Sequence, residues 1–473
     1  MNHLIRQQYL HIVLNGSESE GLALQSRLSG LCHDWLMPVL GRVLDGIVPA
    51  DRHLYLDRLE IDAGTLPLDR LEQDLAAWVA KALEKSLRQQ LAAAPLPPQA
   101  GRDKIQLRSS QQAVQEAFVC FLQTGQLPWS FRLPAGRTLE EAMRDSWQEA
   151  PPTGAPGAPE RALRGVLASA SARKRLTWQF SDDFRFALLL RLSPDARQAM
   201  GRMLEQLRPA GVPASTLELF TQGLWEQLLA GIASGGSLAE SYLVGAAWRS
   251  LPVPAATGTA LAALLERQWP GATQQQPAPQ GPGAPVTDRV PAAAQPDSGE
   301  PPETKEGLYI DNAGLVLLHP FLPRFFEALG IAGDDRLLAP ERALGLLHFL
   351  ATGQVLAPEY ELLLPKILCN IPLATPVPAD TGLQEAEKEE AAALLEALIR
   401  HWEALRSTTP DGLRGTFLIR PGKLTLRDDG DWLLQVESKS YDILLDQLPW
   451  GISMIQLPWM ARMLWVEWNS VSG

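Results

Sequence analysis

Asn312-Ala-Gly-Leu-Val-Leu-Leu-His-Pro-Phe-Leu-Pro-Arg-Phe-Phe326 has the apolar density of a core, interrupted by a few oddly placed polar residues. Residues 314–329 are read as a buried helix that opens the last domain of the chain. Outward from it, the patterns at 340–351, 359–368 and 385–405 are also helical. The remainder is strand-like. Residues 416–420 run into Pro421-Gly422, a strong turn signal, and 423–427 and 432–438 flank Asp428-Asp-Gly-Asp431, a hairpin connection. Residues 464–468 add a further short strand. The stretch 305–473 is therefore expected to be an α+β domain, helical first and closing in an antiparallel β-meander.

Upstream lies the clearest boundary. Residues 271–304 are rich in Pro, Gln, Ala and Gly and cannot bury enough apolar area to offset their ordering entropy, so they read as a disordered linker. Residues 111–270 are patterned as a helical region. One helix runs through Val114, Phe118, Phe121 and Leu122 and stops at Gly125. Others lie at 184–192, 195–207, 215–229 and 238–248, and a Pro/Gly/Ala stretch at 150–158 breaks the series. Phe121-Leu-Gln-Thr-Gly-Gln126 recurs as Phe349-Leu-Ala-Thr-Gly-Gln354. The repeat is either one helix-stop solution used twice or the trace of a duplicated unit, and six residues do not decide between them. Residues 95–110 read as a linker, and 1–94 as a small α/β unit. In that unit strands are expected at 9–14 and 58–62. A capping box of Ser17 and Glu20 precedes a helix carrying Leu22, Leu28, Leu31, Trp35 and Leu36, and a second helix carries Leu71, Leu75, Trp78, Val79 and Leu83. The whole chain is thus α+β and predominantly helical.

The 473 residues suit roughly two to four domains, and 46% hydrophobic content supplies real cores. A net charge of −12 without a basic patch argues against nucleic acid as the main partner. The three cysteines, Cys32, Cys120 and Cys369, have no metal-ligand spacing and suit free thiols in a reduced cytoplasmic setting. No apolar run reaches the roughly 20 residues that span a bilayer, and the start has no apolar signal core.

Chemistry is sparsely signalled. Among seven histidines there is no HExxH motif and no i, i+4 pair. His319, ahead of Pro320 in an apolar run, reads as a hydrogen-bonded structural histidine. No nucleophile elbow, dinucleotide fingerprint or P-loop is present, and the glycines of 415–423 are wrongly spaced for the last. The Asp57, Glu60 and Asp62 group suits a solvated strand face, and Asp428, Asp429 and Asp431 suit a turn. No catalytic residue, cofactor site or metal site is assigned, and an enzyme is not expected.

The tryptophans stand out: there are 14. Core anchoring is the ordinary use of this residue, and an aromatic protein–protein surface is the alternative. Leu-Pro-Trp occurs at 448–450 and again at 457–459. Trp465 and Trp468 fall on opposite faces of the last strand. Trp450, Trp459, Trp465 and Trp468 are the candidate partner-binding residues.

Residues 309–322, Tyr-Ile-Asp-Asn-Ala-Gly-Leu-Val-Leu-Leu-His-Pro-Phe-Leu, resemble the C-terminal domain of contractile injection system tape measure proteins. So do Arg342 to Gly353, Leu362-Leu-Leu-Pro-Lys-Ile-Leu-Cys369, Trp402 with Leu405, Gly412-Leu-Arg414, Phe417-Leu-Ile-Arg420, Asp442-Ile-Leu-Leu445, both Leu-Pro-Trp segments and Val466-Glu-Trp468. Leu56-Asp-Arg-Leu-Glu-Ile-Asp62 and Phe121-Leu-Gln-Thr-Gly-Gln-Leu-Pro-Trp129 extend the similarity towards the start. The resemblance implies a non-enzymatic structural or assembly component of a bacterial phage-tail-like particle, of a family that sets tube and sheath length. The implied partners are tube, hub or baseplate subunits. An assembly chaperone or adaptor absent from the finished particle is the alternative. Neither copy number nor oligomeric state follows from the sequence.

Overall fold

The computed structural model describes residues 36–47, 52–93, 105–148, 158–274 and 307–468, less a few short gaps, with scattered positions before residue 36. The expected linker 271–304 falls outside the described residues from 275 onward, as do most of 150–158 and residues 94–104. The chain divides into two compact units. One is Met1–Ala117 with Ser130–Ala150, and the other is Phe118–Trp129 with Pro151–Gly473.

In the first unit the capping box forms: the Ser17 N–H donates to Glu20 Oε2 at 2.7 Å and the Glu20 N–H to Ser17 Oγ at 3.4 Å. That carboxylate sits below its ordinary pKa because it accepts the backbone N–H of Ser17. Residues 22–36 lie largely outside the described residues, and the helix Met37–Ile47 follows them. Two strand expectations fail. Residues 9–14 and 58–62 join no ladder. The strands are instead β1 (Arg52–Leu56) and β2 (Ile105–Ser109), antiparallel with Leu54 opposite Leu107. β2 lies within the stretch read as a linker, where the short alternation of Ile105-Gln-Leu-Arg108 stands beside stronger proline and charge signals. The helix Leu71–Ala93 buries Leu71, Leu75, Val79, Leu83 and Leu87, one apolar residue per turn. Trp78, expected on that face, lies off the stripe and is exposed.

In the second unit the helices Ser110–Thr124 (from Phe118 on), Asp182–Leu192, Pro194–Leu207, Ala214–Ser234 and Glu240–Ser250 occur where periodicity places them. Their caps explain the boundaries. Ser181 Oγ accepts the Phe184 N–H, Ser193 Oγ accepts the Ala196 N–H, and Gly235 ends its helix at φ +66°. Phe118, Phe121, Phe180 and Phe184 form an aromatic core with ring centroids 4.8 to 5.9 Å apart.

The last part of this unit is built on the opening stretch. Residues 313–328 are broken rather than one helix: a 3₁₀ turn Ala313–Leu318, then the helix Leu322–Ala328. Pro320 and Pro323 lack the N–H groups that a continuous helix needs. Ala313 to Leu318 are all buried. The helices Pro340–Thr352 and Glu385–His401 pack on this centre, and the shorter helix Leu363–Leu368 follows a 3₁₀ turn at Glu359–Glu361. The strand expected at 416–420 is a helical turn, Arg414–Leu418, with five-residue hydrogen bonding. It continues the helix Pro410–Leu413, which Thr409 caps, and Phe417 and Leu418 are both buried on it.

The sheet follows in the order β3-β6-β7-β9-β8, with β3 Leu308–Ile310, β6 Gly422–Leu426, β7 Trp432–Val436, β8 Met454–Ile455 and β9 Leu464–Glu467. β6 and β7 form the expected antiparallel hairpin. The sheet is mixed, because β9 lies parallel to β7. Its inner face, with Leu308, Leu424, Leu434, Val466 and Ile455, closes the core.

Gly314 marks the closest approach in that core. A Cβ there would stand 1.8 Å from the Phe417 carbonyl oxygen, backbone against backbone. Gly314→Ala is therefore expected to cost about 3 kcal/mol or more. Gly415→Ala, on the same turn with open space around it, stays within about 0.5 kcal/mol. Urea unfolding midpoints of the two variants check the contrast.

Candidate functional site

Three charged side chains meet in the dry interior of the second unit. Arg175, on the helix Ala170–Gln179, donates through Nε to both carboxylate oxygens of Glu359 at 3.1 Å. Lys366, on the helix Leu363–Leu368, donates to Glu359 Oε1 at 2.7 Å. All three side chains are 0–1% exposed. Two cations against one anion leave a formal surplus of one positive charge. Carbonyl groups absorb it. Arg175 Nη1 donates to Leu122 O at 3.1 Å and to Gln123 O at 3.0 Å, and Nη2 donates to Ala374 O. Lys366 Nζ donates to Leu373 O at 2.9 Å and to Thr375 O at 2.8 Å. Leu122 and Gln123 are the last-turn carbonyls of a helix, the negative end of its dipole. Burial pushes the Lys366 pKa down, and Glu359 opposes the shift.

Backbone contacts extend the same junction. Gln179 accepts the Glu359 N–H at 3.0 Å and donates to Val377 O at 2.8 Å, and the Ala379 N–H donates to Trp178 O at 3.1 Å. Gly125 is part of it: its φ is +79°, and a Cβ there would stand 2.3 Å from Glu359 Oε1. No other residue type fits both the backbone and the carboxylate.

The two Phe-Leu-x-Thr-Gly-Gln segments share their chemistry. Gly125 and Gly353 adopt φ of +79° and +75°, and their N–H groups donate to Phe121 O and Phe349 O at 2.7 and 2.8 Å. Thr124 and Thr352 each donate back to the carbonyl four residues earlier at 2.8 Å. Each also accepts the N–H of the glutamine two residues on, at 3.1 and 3.0 Å. An arginine caps each helix end: Arg175 at Leu122 and Gln123, and Arg414 at Leu350 through Nε at 3.1 Å. Both arginines begin an Arg-x-Thr-aromatic run, Arg175-Leu-Thr-Trp178 and Arg414-Gly-Thr-Phe417. The likeness therefore extends beyond six residues to a paired capping arginine.

A second buried pair ties the end of the chain together. Arg420 grips Asp442 with Nη2 to Oδ1 at 2.9 Å and Nη1 to Oδ2 at 3.2 Å. The guanidinium lies among Tyr441, Trp468 and Phe417 at 4.9, 5.3 and 5.9 Å from the ring centroids. Asp442 also accepts the Lys439 N–H at 2.8 Å and Trp468 Nε1–H at 3.0 Å.

The four candidate tryptophans occupy different places. Trp468 is buried on Asp442. Trp459 is half-buried, donating to Leu368 O at 2.7 Å beside Phe326. Trp450 is half-buried against Phe321 at 5.2 Å, and its Nε1 meets no acceptor among the described residues. Trp465 lies on the outer face of β9, donating to Asp431 Oδ2 at 3.2 Å under the Arg427 guanidinium. The four do not form one cluster.

His319 Nδ1 meets Val316 O at 2.9 Å, and His348 Nε2 meets Glu361 Oε2 at 2.9 Å. Cys369 is fully buried, which pushes its thiol pKa far up. Among the described residues no group of three or more His, Cys, Asp or Glu side chains could hold a metal ion, and no helix is long and apolar enough to cross a membrane.

Sequence reasoning did not single out Arg175, Glu359, Lys366, Arg420 or Asp442 for their charge. For three of them a signal existed: a lone charge inside an apolar run, as in Leu362-Leu-Leu-Pro-Lys-Ile-Leu368, Phe417-Leu-Ile-Arg420 and Asp442-Ile-Leu-Leu445. Arg175 and Glu359 stand among other polar residues and give no such sign.

Every segment that meets at these two buried clusters lies within one family match. The fold and its interior define a predominantly helical α+β protein with buried ion pairs in its core. The model of the contractile injection system tape measure protein family matches residues 2–468, and the chain belongs to that family. No curated protein and no solved structure matches it.

Two predictions follow from the buried groups. Glu359→Ala strands two buried cations and is expected to cost about 3–5 kcal/mol. Lys366→Met leaves a one-to-one pair and removes a donor from two carbonyls, costing about 1–2 kcal/mol. Urea unfolding of both variants tests the order. Burial also holds His319 below its ordinary pKa of 6.5, against the hydrogen bond to Val316. The unfolded chain then binds the proton first, so stability falls as pH drops from 6.5 towards the depressed folded value. His319→Gln removes that loss, which is read as a smaller difference in unfolding midpoint between about pH 7.5 and about pH 5.5.

Proposed function

We propose that this protein acts in building a contractile injection particle and sets the length of its tube and sheath. The observation that carries the reading is the family match over nearly the whole chain. The interior supports it: the described buried ions are bound to one another and to backbone carbonyls. The ruler is not a bare helix. A continuous helix of 473 residues would reach roughly 700 Å, but 38 prolines and a folded second unit rule that form out. Length in this reading comes from stacking on another component, because the Arg175–Glu359 junction holds the segments on either side of residues 271–304 to each other.

The aromatic side chains of residues 305–473 dock the tube, hub or baseplate subunits. Trp450 and Trp459 sit at two Leu-Pro-Trp corners whose prolines are exposed. Trp465 lies on the outer sheet face, and Trp468 contributes by holding Asp442. A second reading, an assembly chaperone not retained in the particle, is favoured by the compactness of the folded units.

Electron microscopy of particles separates the two. Deleting the gene is expected to leave particle length uncontrolled, with the chain present in purified wild-type particles. Absent particles on deletion, with no copy of the chain in purified wild-type particles, would favour the chaperone. Normal particles on deletion would reject an assembly role.

A further inference from the structure

The two glycine stops of the second unit are built alike and covered differently. At the first, where the helix ends at Thr124, the segment Pro358-Glu-Tyr360 is seated on the stop. The Glu359 carboxylate lies in front of Gly125, where a Cβ would stand 2.3 Å from Oε1, and it meets the capping Arg175. The Tyr360 ring packs edge-on against Phe121, with centroids 5.7 Å apart. Phe180, five residues past the arginine, also packs on Phe121 at 5.9 Å. Phe121 is left 1% exposed.

The second stop, at the end of the helix Pro340–Thr352, has the same receiving parts. Gly353 holds φ +75°, and Arg414 caps the helix with its guanidinium 5.6 Å from the Phe349 ring centroid. What stands in front of the glycine differs. The three atoms nearest to a Cβ on Gly353 all belong to Arg414, at 3.6 to 3.8 Å, and none is a carboxylate oxygen. Phe349 is half-buried where Phe121 is sealed. Ile419, five residues past this arginine, is 46% exposed, and Leu356, just after the stop, is 62% exposed. Arg414 Nη1 donates to Asp411 Oδ1 at 2.8 Å, and the Asp411 side chain is 90% exposed. A pair so open to water holds the guanidinium weakly.

We infer that the second stop is a docking site for a peptide segment of another protein in which a glutamate is followed by an aromatic residue. The carboxylate takes Arg414 Nη1 from Asp411, and the ring covers Phe349. The chemistry of this occupant is that of the segment seated on the first stop, where glycine, arginine and phenylalanine receive a Glu-Tyr pair. Charge complements it: Arg414 supplies one cation for one anion. Apolar side chains on both flanking segments, Leu356 and Ile419, stand ready to shield the new pair, and a charge-assisted hydrogen bond gains strength as water is excluded. The Glu359 of a second copy is not the occupant, because that side chain is buried on Arg175 and Lys366. The inference is independent of the particle role.

The test is fluorescence anisotropy of a labelled peptide with blocked ends, Ala357-Pro-Glu-Tyr-Glu361, titrated with the full chain. The expected result is saturable binding with a dissociation constant on the order of 100 µM. Glu359→Gln or Tyr360→Ala within the peptide weakens it about tenfold, and these variants leave the protein unchanged. In the protein, Arg414→Gln abolishes binding. Asp411→Ala removes the competing carboxylate from an exposed position and tightens binding about two- to threefold. Circular dichroism confirms that each protein variant is folded. Three outcomes would overturn the proposal: no binding up to about 500 µM protein, a Glu359→Gln peptide that binds as well as the original, or an affinity indifferent to both Arg414→Gln and Asp411→Ala. Self-association of the chain that Arg414→Gln removes would give the stop to a second copy, and would overturn it too.

Discussion

The carboxylate of Glu359 holds the second unit together. It takes two buried cations at once, and both cations also bind carbonyls of the loop Leu373–Thr375. Arg175 reaches the end of the helix Ser110–Thr124, and Lys366 reaches the loop through Leu373 and Thr375. Hydrophobic burial supplies most of the stabilisation but lacks direction, and a core of leucines tolerates several arrangements. The ionic junction tolerates few. Moving any of these segments strands a charge in a medium that penalises it heavily. The αL glycine at 125 and the backbone contacts from Trp178 and Gln179 follow from that requirement.

Arg420 and Asp442 repeat the device on a smaller scale, with aromatic rings added to the Thr416 and Glu437 carbonyl groups around the guanidinium. The two clusters account for much of the resemblance that the C-terminal sequence carries. The Phe417-Leu-Ile-Arg, Asp442-Ile-Leu-Leu and Val466-Glu-Trp segments are far apart in the chain and meet at one guanidinium. Their place in this chain has a packing explanation.

Much of the helical architecture was legible in the sequence. Serine caps, glycine stops and one apolar residue per turn act locally, and they fixed the helices from Asp182 to Ser250 within a few residues. The β6–β7 hairpin was legible for the same reason, since turn residues and alternation lie in one short window. The failures have a common cause. Residues 9–14 and 58–62 alternate like strands but find no neighbouring strand. Residues 416–420 also look extended, yet a helix capped at Thr409 runs into them. Strand formation depends on a partner, which a local pattern does not contain. The charged clusters were less legible still, because Arg175 and Glu359 look like surface residues until the chain is folded. Of the four tryptophans, the opposite facing of Trp465 and Trp468 was readable from strand period alone, and their hydrogen-bond partners were not.

The distance along the chain between Arg175 and Glu359, 184 residues, has a consequence for synthesis. At about 5–20 residues per second, a ribosome needs about 10–40 s to make the anion after it has made the cation. Through that interval the middle helices are in the cell with a guanidinium that has its Leu122 and Gln123 carbonyls but not its carboxylate. They stay hydrated at that point, and the unit locks only when the last third of the chain emerges. A nascent chain of this protein is therefore a late closer, exposed to chaperones and proteases for longer than its helical content alone would suggest.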